Sequence, residues 1–265
     1  MRKEPPGPEV GPRRPGVQSL GRAFLILEAM ADAGGIIGLS QLAERTDLPL
    51  ATIHRLVRSL LELGYVRQEA NRQYSLGPRL MRLAAESGKR IGVVANPLLA
   101  RAVDQLGESV NLAVLDDDEI VYVAQVQPTG NLMRMFTEVG RRTLPHSTAV
   151  GKAILAGRAD EEVEALLART GMPRRTEHTL TRPAALLAAL EEIREQGYAT
   201  DDGEQEIGVR CVAVVVPDAP RPMALSMSGP TTRMDDATVE RGAAVLHEVA
   251  ADLGRVLGGG DVLIG

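Results

Sequence analysis

Residues 39–77, LSQLAERTDLPLATIHRLVRSLLELGYVRQEANRQYSLG, constrain the fold more than any other stretch of the chain. Ser40 reads as the cap of a short helix over 41–45. Asp47-Leu48-Pro49 reads as a turn, with Pro49 at a first helical position. The next helix runs to about Leu63, where Gly64 supplies the stop. Residues 65–68 and 73–76 alternate as strands, and the polar tip Glu69-Ala70-Asn71-Arg72 joins them as a hairpin. Helix, turn, helix and hairpin together suit a module that lays one helix in the major groove and a wing on the backbone beside it.

The second helix of that module has two faces. Ile53, Leu56, Val57, Leu60 and Leu61 form an apolar face that must be buried. Ala51, Thr52, His54, Arg55, Arg58, Ser59 and Glu62 face the other way. Arg55 can make a bidentate contact to guanine, and Thr52 can reach a base or a phosphate. His54 and Arg58 suit phosphate, which positions the helix without reading sequence. Arg72 at the wing tip can enter the minor groove or hold the backbone. With Ser40, Gln41 and Ser59 these residues make the expected DNA-binding set. Any one of them alone is an ordinary solvated side chain; their combination points to DNA.

Charge separates the chain into two parts. The net charge of -5 argues against nucleic acid as a partner. Residues 1–90, however, hold 14 Lys+Arg against 9 Asp+Glu, while residues 91–265 hold 16 against 26. A basic front and an acidic back imply two domains with different partners. Cys211 is the single cysteine, so no intrachain disulfide and no multi-cysteine metal site can form. A lone thiol, no membrane-length apolar run and no apolar leader lead us to expect a cytoplasmic protein. The histidines at 54, 146, 178 and 247 show no ligand-pair spacing, so no metal and no cofactor are expected.

The organisation expected along the chain follows. Residues 1–16 are too rich in Pro, Gly and charge to pack and read as a disordered arm, in which Arg13 and Arg14 could touch phosphate. A helix from Val17 shows Leu20, Phe24, Leu27 and Ala31 at helical spacing and ends at Gly34-Gly35. The module ends at Gly77, and Pro78 opens a connector helix through Leu80, Leu83 and Ala84 that ends near Gly88, within a linker taken as 78–92. Helices near 97–106, 148–156, 160–168, 183–196 and 235–257 accompany strands near 109–115, 119–127, 132–136, 198–202, 210–216 and 222–228. Strands in a meander with helices around them make an α+β domain over 93–257, and residues 258–265 read as a flexible tail.

The second domain could hold an active site or a binding pocket. His146 and Ser147, with Asp201 or Asp202, are the materials of a triad. Adjacent residues seldom aim at one another, though, and no nucleophile elbow is present. HSTAVGKA lacks the leading Gly and the hydroxyl residue after Lys152 that a phosphate loop needs. A pocket fits the residues better. Ser147-Thr148 begin a helix whose free N–H groups, around Ala149 and Val150, suit a carboxylate. Ser226 and Ser228 alternate on a strand and share one side. Cys211 reads equally as a core thiol or a pocket residue, and Asp201 equally as a turn cap or a pocket residue.

VQSLGRAFLILEAM with LSQLAERTDLPLATIHRLVRSLLELGYV resembles the winged helix-turn-helix of IclR-type transcriptional regulators. GRRTLPHSTAVGKAILA and EIGVRCVAVVVPD with RPMALSMSGPTTR resemble that family's effector half, so the resemblance spans about 17–257. It implies an α+β fold: a winged helix-turn-helix over 17–77, a linker helix over 78–92 and a GAF-like effector-binding domain over 93–257. It further implies a ligand-responsive regulator of double-stranded operator DNA, more often a repressor, acting as a homodimer or tetramer. The implied effector is a small organic molecule, often a carboxylic acid, held by Leu132, Met135, Ala149, Val150, Asp201, Cys211, Ser226 and Ser228. The chain departs from the family where Leu50 and Ala51 replace basic or small polar residues, which removes two positions from direct readout. It departs again at LPH, 144–146, where Leu-Pro-x-His is usual, so a different local loop is expected. The alternative is a small-molecule-processing enzyme with an accessory winged-helix head; a winged helix used only for protein contacts is a third reading.

Overall fold

The computed structural model describes residues 17–129 and 137–258, the side chains of 87–90 excepted. The arm at 1–16, the strand read at 132–136 and the tail from 259 onward lie outside the described residues. The chain divides into two compact units between Ser87 and Gly88.

The first unit contains α1 (Gln18–Asp32), β1 (Ile36–Ile37), α2 (Leu39–Thr46), α3 (Leu50–Glu62), β2 (Val66–Gln68) and β3 (Tyr74–Leu76). Its core joins Ile26, Leu27 and Met30 of α1 to Leu42 of α2, to Ile53, Val57 and Leu60 of α3, and to Ile37, Val66 and Tyr74 from the strands. The stripe expected on α1 is therefore rotated. Leu20 and Phe24 are 58% and 55% exposed, because the helix buries its C-terminal half against α2 and α3. The wing is a three-stranded sheet in the order β1-β3-β2, one strand more than the hairpin read from sequence. A two-residue strand is too short to show an alternation.

Two caps also differ from expectation. Gly38, not Ser40, precedes α2, and the Gln41 side chain accepts the Gly38 N–H at 3.1 Å. That contact is the back-reaching half of a capping box. Pro49 sits at the N-cap of α3 with extended backbone, one residue before the helical position assigned to it. Gly64, at φ 76°, closes α3 as expected.

The connector does not end near Gly88. One helix, α4, runs from Arg79 to Leu106 and carries Pro97 inside it. Pro97 cannot donate to the carbonyl of Val93, but Val93 is exposed, so water can satisfy that carbonyl.

Beyond α4 the described residues of the second unit build one six-stranded antiparallel sheet. Its strands are β4 (Ser109–Asp116), β5 (Glu119–Val126), β6 (Arg142–Thr143), β7 (Ala199–Asp202), β8 (Val209–Val215) and β9 (Met223–Pro230). They lie in the order β6-β5-β4-β9-β8-β7. Period-two alternation decides which helices each face meets. Val110, Leu112, Val212, Val214, Leu225 and Met227 pack with α4 and α8 (Asp236–Gly258). Ala113, Tyr122, Cys211, Ala213 and Ala224 face α5 (Ala149–Ala156), α6 (Asp160–Thr170) and α7 (Pro183–Gln196). The fold is the expected winged helix-turn-helix followed by a GAF-like α+β domain.

Candidate functional site

On the first unit, α3 displays the expected polar face. His54, Arg55, Arg58 and Ser59 are exposed and Thr52 is half-buried. Ser40 and Gln41 are exposed at the start of α2. The Arg58 guanidinium lies 3.2 Å from Glu62 one turn on, and Ser59 Oγ donates back to the Arg55 carbonyl at 3.3 Å. Arg72 stands at the wing tip with φ 65°, its N–H bonded to the Glu69 carbonyl at 3.0 Å. Leu50 is 52% exposed at the helix start, an apolar side chain where a reading residue would stand.

On the second unit, the α5 face of the sheet carries a polar strip among small apolar residues. Strand register produces it. Asp201 on β7 pairs with Cys211 on β8, Cys211 with Ser228 on β9, and Ser228 with Ser109 on β4. One step along, Ser226 pairs with Asn111, and Asn111 with Gln125 on β5. Asn111 Nδ2 lies 3.3 Å from both Ser226 Oγ and Ser228 Oγ. Gln125 Nε2 donates to Asn111 Oδ1 at 2.8 Å.

The N-terminus of α5 covers this strip. A single 3-10 turn, Pro145–Ser147, leads into it. Thr148 is the N-cap, its Oγ1 accepting the Gly151 N–H at 3.1 Å. The N–H groups of Ala149 and Val150 remain free of the helix's own hydrogen bonding. Gly151 is required here, since a Cβ would lie 2.2 Å from the Pro145 carbonyl oxygen. Ser147 Oγ donates to Gln205 Oε1 at 2.7 Å, tying the turn to the loop after β7. A cavity of about 20 Å³ results, lined by Tyr122, Thr148, Ala149, Val150, Asp201 and Gln205, with Cys211, Ser226 and Ser228 on its floor.

Burial dominates the electrostatics. Asp201 is pushed up to about 7, first by burial and then by the Glu204 charge. Lys152 and the N–H groups of Glu204 and Gln205 act against that rise. Burial, with Asp201 nearby, also raises the Cys211 thiol, and the Ser228 hydroxyl opposes it. Tyr122 is raised well above its ordinary value by burial. These groups are neutral acids at physiological pH, or in the case of Asp201 half so. Behind the cavity, Lys152 on α5 forms a buried ion pair with Glu204.

Six of the eight residues expected for the effector come together: Ala149, Val150, Asp201, Cys211, Ser226 and Ser228. Leu132 and Met135 lie outside the described residues. Asn111, Gln125 and Gln205 were not singled out from sequence, and Thr148 only as the start of the helix. Asn111 carried a signal, as a lone amide in the apolar strand 109–115. The triad materials do not assemble: His146 Nε2 contacts the Pro173 carbonyl at 3.1 Å, and the Ser147 hydroxyl goes to Gln205. Burial holds the His146 imidazole below its ordinary pKa. Among the described residues no His, Cys, Asp and Glu cluster could hold a metal, and no helix is long and apolar enough to cross a membrane.

Comparison with known proteins agrees with both halves. Residues 19–70 match the IclR helix-turn-helix domain, and residues 84–255 match the bacterial transcriptional regulator IclR C-terminal domain. The chain is 36% identical over 247 residues to the HTH-type transcriptional regulator KdgR of Escherichia coli, covering 91% of this chain and 93% of that one. It is 34% identical over 250 residues to the transcriptional repressor IclR of the same organism, covering 92% and 91%. The Thermotoga maritima IclR crystal structure superposes with a TM-score of 0.70 at 30% identity, covering 91% and 98%. An IclR homolog from Microbacterium hydrocarbonoxydans, solved in complex with 4-hydroxybenzoate, gives 0.73 at 26%, covering 92% and 100%. These relatives are regulators, not enzymes, and the polar strip accordingly lacks an assembled nucleophile and base. With a winged helix-turn-helix in front, a GAF-like domain behind and near-complete coverage of its relatives, the chain belongs to the IclR family of DNA-binding transcriptional regulators.

Proposed function

We propose that the chain is a cytoplasmic repressor that releases its operator when a small organic acid binds its second domain. The observation that carries this reading is the polar strip under the N-terminus of α5. Serine hydroxyls, free helix N–H groups and an Asp201 carboxyl whose charge burial disfavours surround one cavity. Such a site offers donors and a positive dipole end, set against the Glu206 carboxylate that also lines the cavity. The cavity is sized for about one water as it stands, so a larger acid must displace part of its wall. That displacement gives the ligand a conformational preference, and only such a preference can shift DNA binding.

In this reading residues 17–77 are the reading head, 78–92 the linker and 93–257 the effector domain. Thr52, His54, Arg55, Arg58 and Arg72, with Ser40, Gln41 and Ser59, contact DNA. The chain acts as a dimer or tetramer. Exposed Leu20 and Phe24 on α1, with Met81 and Leu83 on α4, supply apolar surface for that association. The test is a gel shift against DNA upstream of the chain's own gene, with sedimentation to count subunits. Saturable, salt-sensitive binding that a small carboxylate weakens supports the reading. Absence of binding at every salt concentration sinks it.

A further inference from the structure

We propose that Asn111, held by Gln125 and Thr137, is a positioning residue that turns the pocket serines into hydrogen-bond donors and thereby selects acids over their amides. The proposal rests on the pocket reading above and deepens it.

The argument begins at Thr137. Its main-chain carbonyl can only accept, and Gln125 Nε2 contacts it. The same nitrogen lies 3.0 Å from Thr137 Oγ1. Gln125 Oε1 accepts from Gln127 Nε2 at 3.1 Å, so both ends of the Gln125 amide are fixed. Its nitrogen therefore presents a hydrogen to Asn111, 2.8 Å away, and the Asn111 atom receiving it must be the oxygen. The Asn111 nitrogen then faces β9 and donates to Ser226 Oγ and Ser228 Oγ. Asn111 is fully buried, and its register partners on the two sides are Gln125 and Ser226, so the chain of bonds has little freedom to reverse.

A serine oxygen that accepts a hydrogen bond keeps its own hydrogen for another partner. Among the described residues no acceptor is bonded to the Ser226 hydroxyl, and the partner of Ser228 is the Cys211 sulfur. Both serines line the cavity. The Ser226 hydrogen is thus directed to the ligand, on the side where the free N–H groups of Ala149 and Val150 also point. A carboxylate matches this set at both oxygens. A primary amide set on the Ser226 hydroxyl and the helix N–H groups places two hydrogens against those donors, a mismatch that such sites reject strongly; the Asp201 and Glu206 carboxyls line the cavity for acid and amide alike.

Neither Asn111 nor Gln125 lines the cavity, which makes a selective test possible. Calorimetry on the full chain would compare 4-hydroxybenzoate, benzoate and propionate with 4-hydroxybenzamide, benzamide and propionamide. The wild-type chain should prefer each bound acid over its amide by at least about ten-fold. Asn111→Leu and Gln125→Met add no charge, and both should lower that ratio at least about three-fold. A merely structural role would weaken acid and amide alike. An unchanged ratio in Gln125→Met, which is only half-buried and expected to fold, overturns the proposal even where Asn111→Leu does not fold. Binding of neither acids nor amides to the wild-type chain overturns the pocket reading itself, a different pattern from acid and amide binding with equal affinity.

Discussion

Asp201 and Cys211 face each other across β7 and β8, and burial raises the pKa of both. Asp201, at about 7 folded against 3.8 as a free side chain, holds a proton between those limits that the unfolded chain has released. Stability linked to this group is therefore full below about pH 4, declines as pH rises, and is lost above about 7. Asp201→Asn keeps an oxygen for the N–H groups of Glu204 and Gln205 and removes the titration. Denaturant unfolding at pH 5 and 8 should show the variant gaining stability relative to wild type at the higher pH. A difference that is the same at both pH values would exclude this linkage. Carboxylate binding should likewise take up a proton and weaken as pH rises through about 7, which calorimetry in two buffers of different ionisation enthalpy reads directly.

Lys152 and Glu204 are both buried, and Glu204 Oε2 has no hydrogen-bond partner among the described residues. Removing one partner strands the other charge. Lys152→Met should destabilise the chain by about 3–5 kcal/mol. The double variant Lys152→Met with Glu204→Leu should recover much of that loss, because the desolvation cost of both charges disappears with the pair. Chemical denaturation of the wild type, the two single variants and the double variant gives the coupling. From sequence Lys152 has no assigned role once a phosphate loop is rejected; its burial against Glu204 makes it structural support behind the pocket.

Two glycines should respond in opposite directions. At Gly151 an added Cβ meets the Pro145 carbonyl oxygen at 2.2 Å, so Gly151→Ala must push α5 off its leading turn, at about 1–3 kcal/mol. At Gly21, within α1, nothing lies within 4 Å, and Gly21→Ala should stabilise by about 0.5–1 kcal/mol. Thermal melts of the two variants check the contrast. A loss of ligand response in Gly151→Ala at a temperature where it is folded would tie the leading turn to effector sensing.

Much of the architecture was legible because it is written in local periodicity. The strands 109–115, 210–216 and 222–228 each lie within two residues of β4, β8 and β9 at either end. The pair Ser226 and Ser228 sharing a face follows from the same period of two. Two kinds of feature were not legible. The sequence reads as one helix ending near Gly88 and another beginning near 97, yet α4 runs through both, since packing around Ala95, Leu99 and Ala102 overrides the local penalty at Gly88 and Pro97. The second kind is register. Nothing local says that Asn111 sits opposite Ser226 on one side and Gln125 on the other. That pairing depends on β4 lying between β5 and β9, a long-range order that no short window contains.

Arg55 and Arg58 should fail differently when removed. The Arg58–Glu62 pair is exposed at both ends, and such i,i+4 pairs contribute about 0.3–0.5 kcal/mol. Glu62 therefore restrains the guanidinium only weakly, and a phosphate can take it over. Arg58→Ala should leave stability within about 0.5 kcal/mol, weaken binding to all sequences alike, and reduce the salt dependence by about one counterion per head. In the proposed reading Arg55, nearer the start of α3, contacts a base edge. Arg55→Ala should cost about 1–3 kcal/mol on the operator and relax selectivity at one base pair, with little change on random DNA. Because Leu50 and Ala51 offer no polar contact at the helix start, one head should discriminate weakly, and half-site mutations should reduce affinity far more on a paired site than on an isolated one. Titrations on matched, mutated and random duplexes at two salt concentrations separate the two roles, and equal losses for both variants on every duplex would assign Arg55 to phosphate instead.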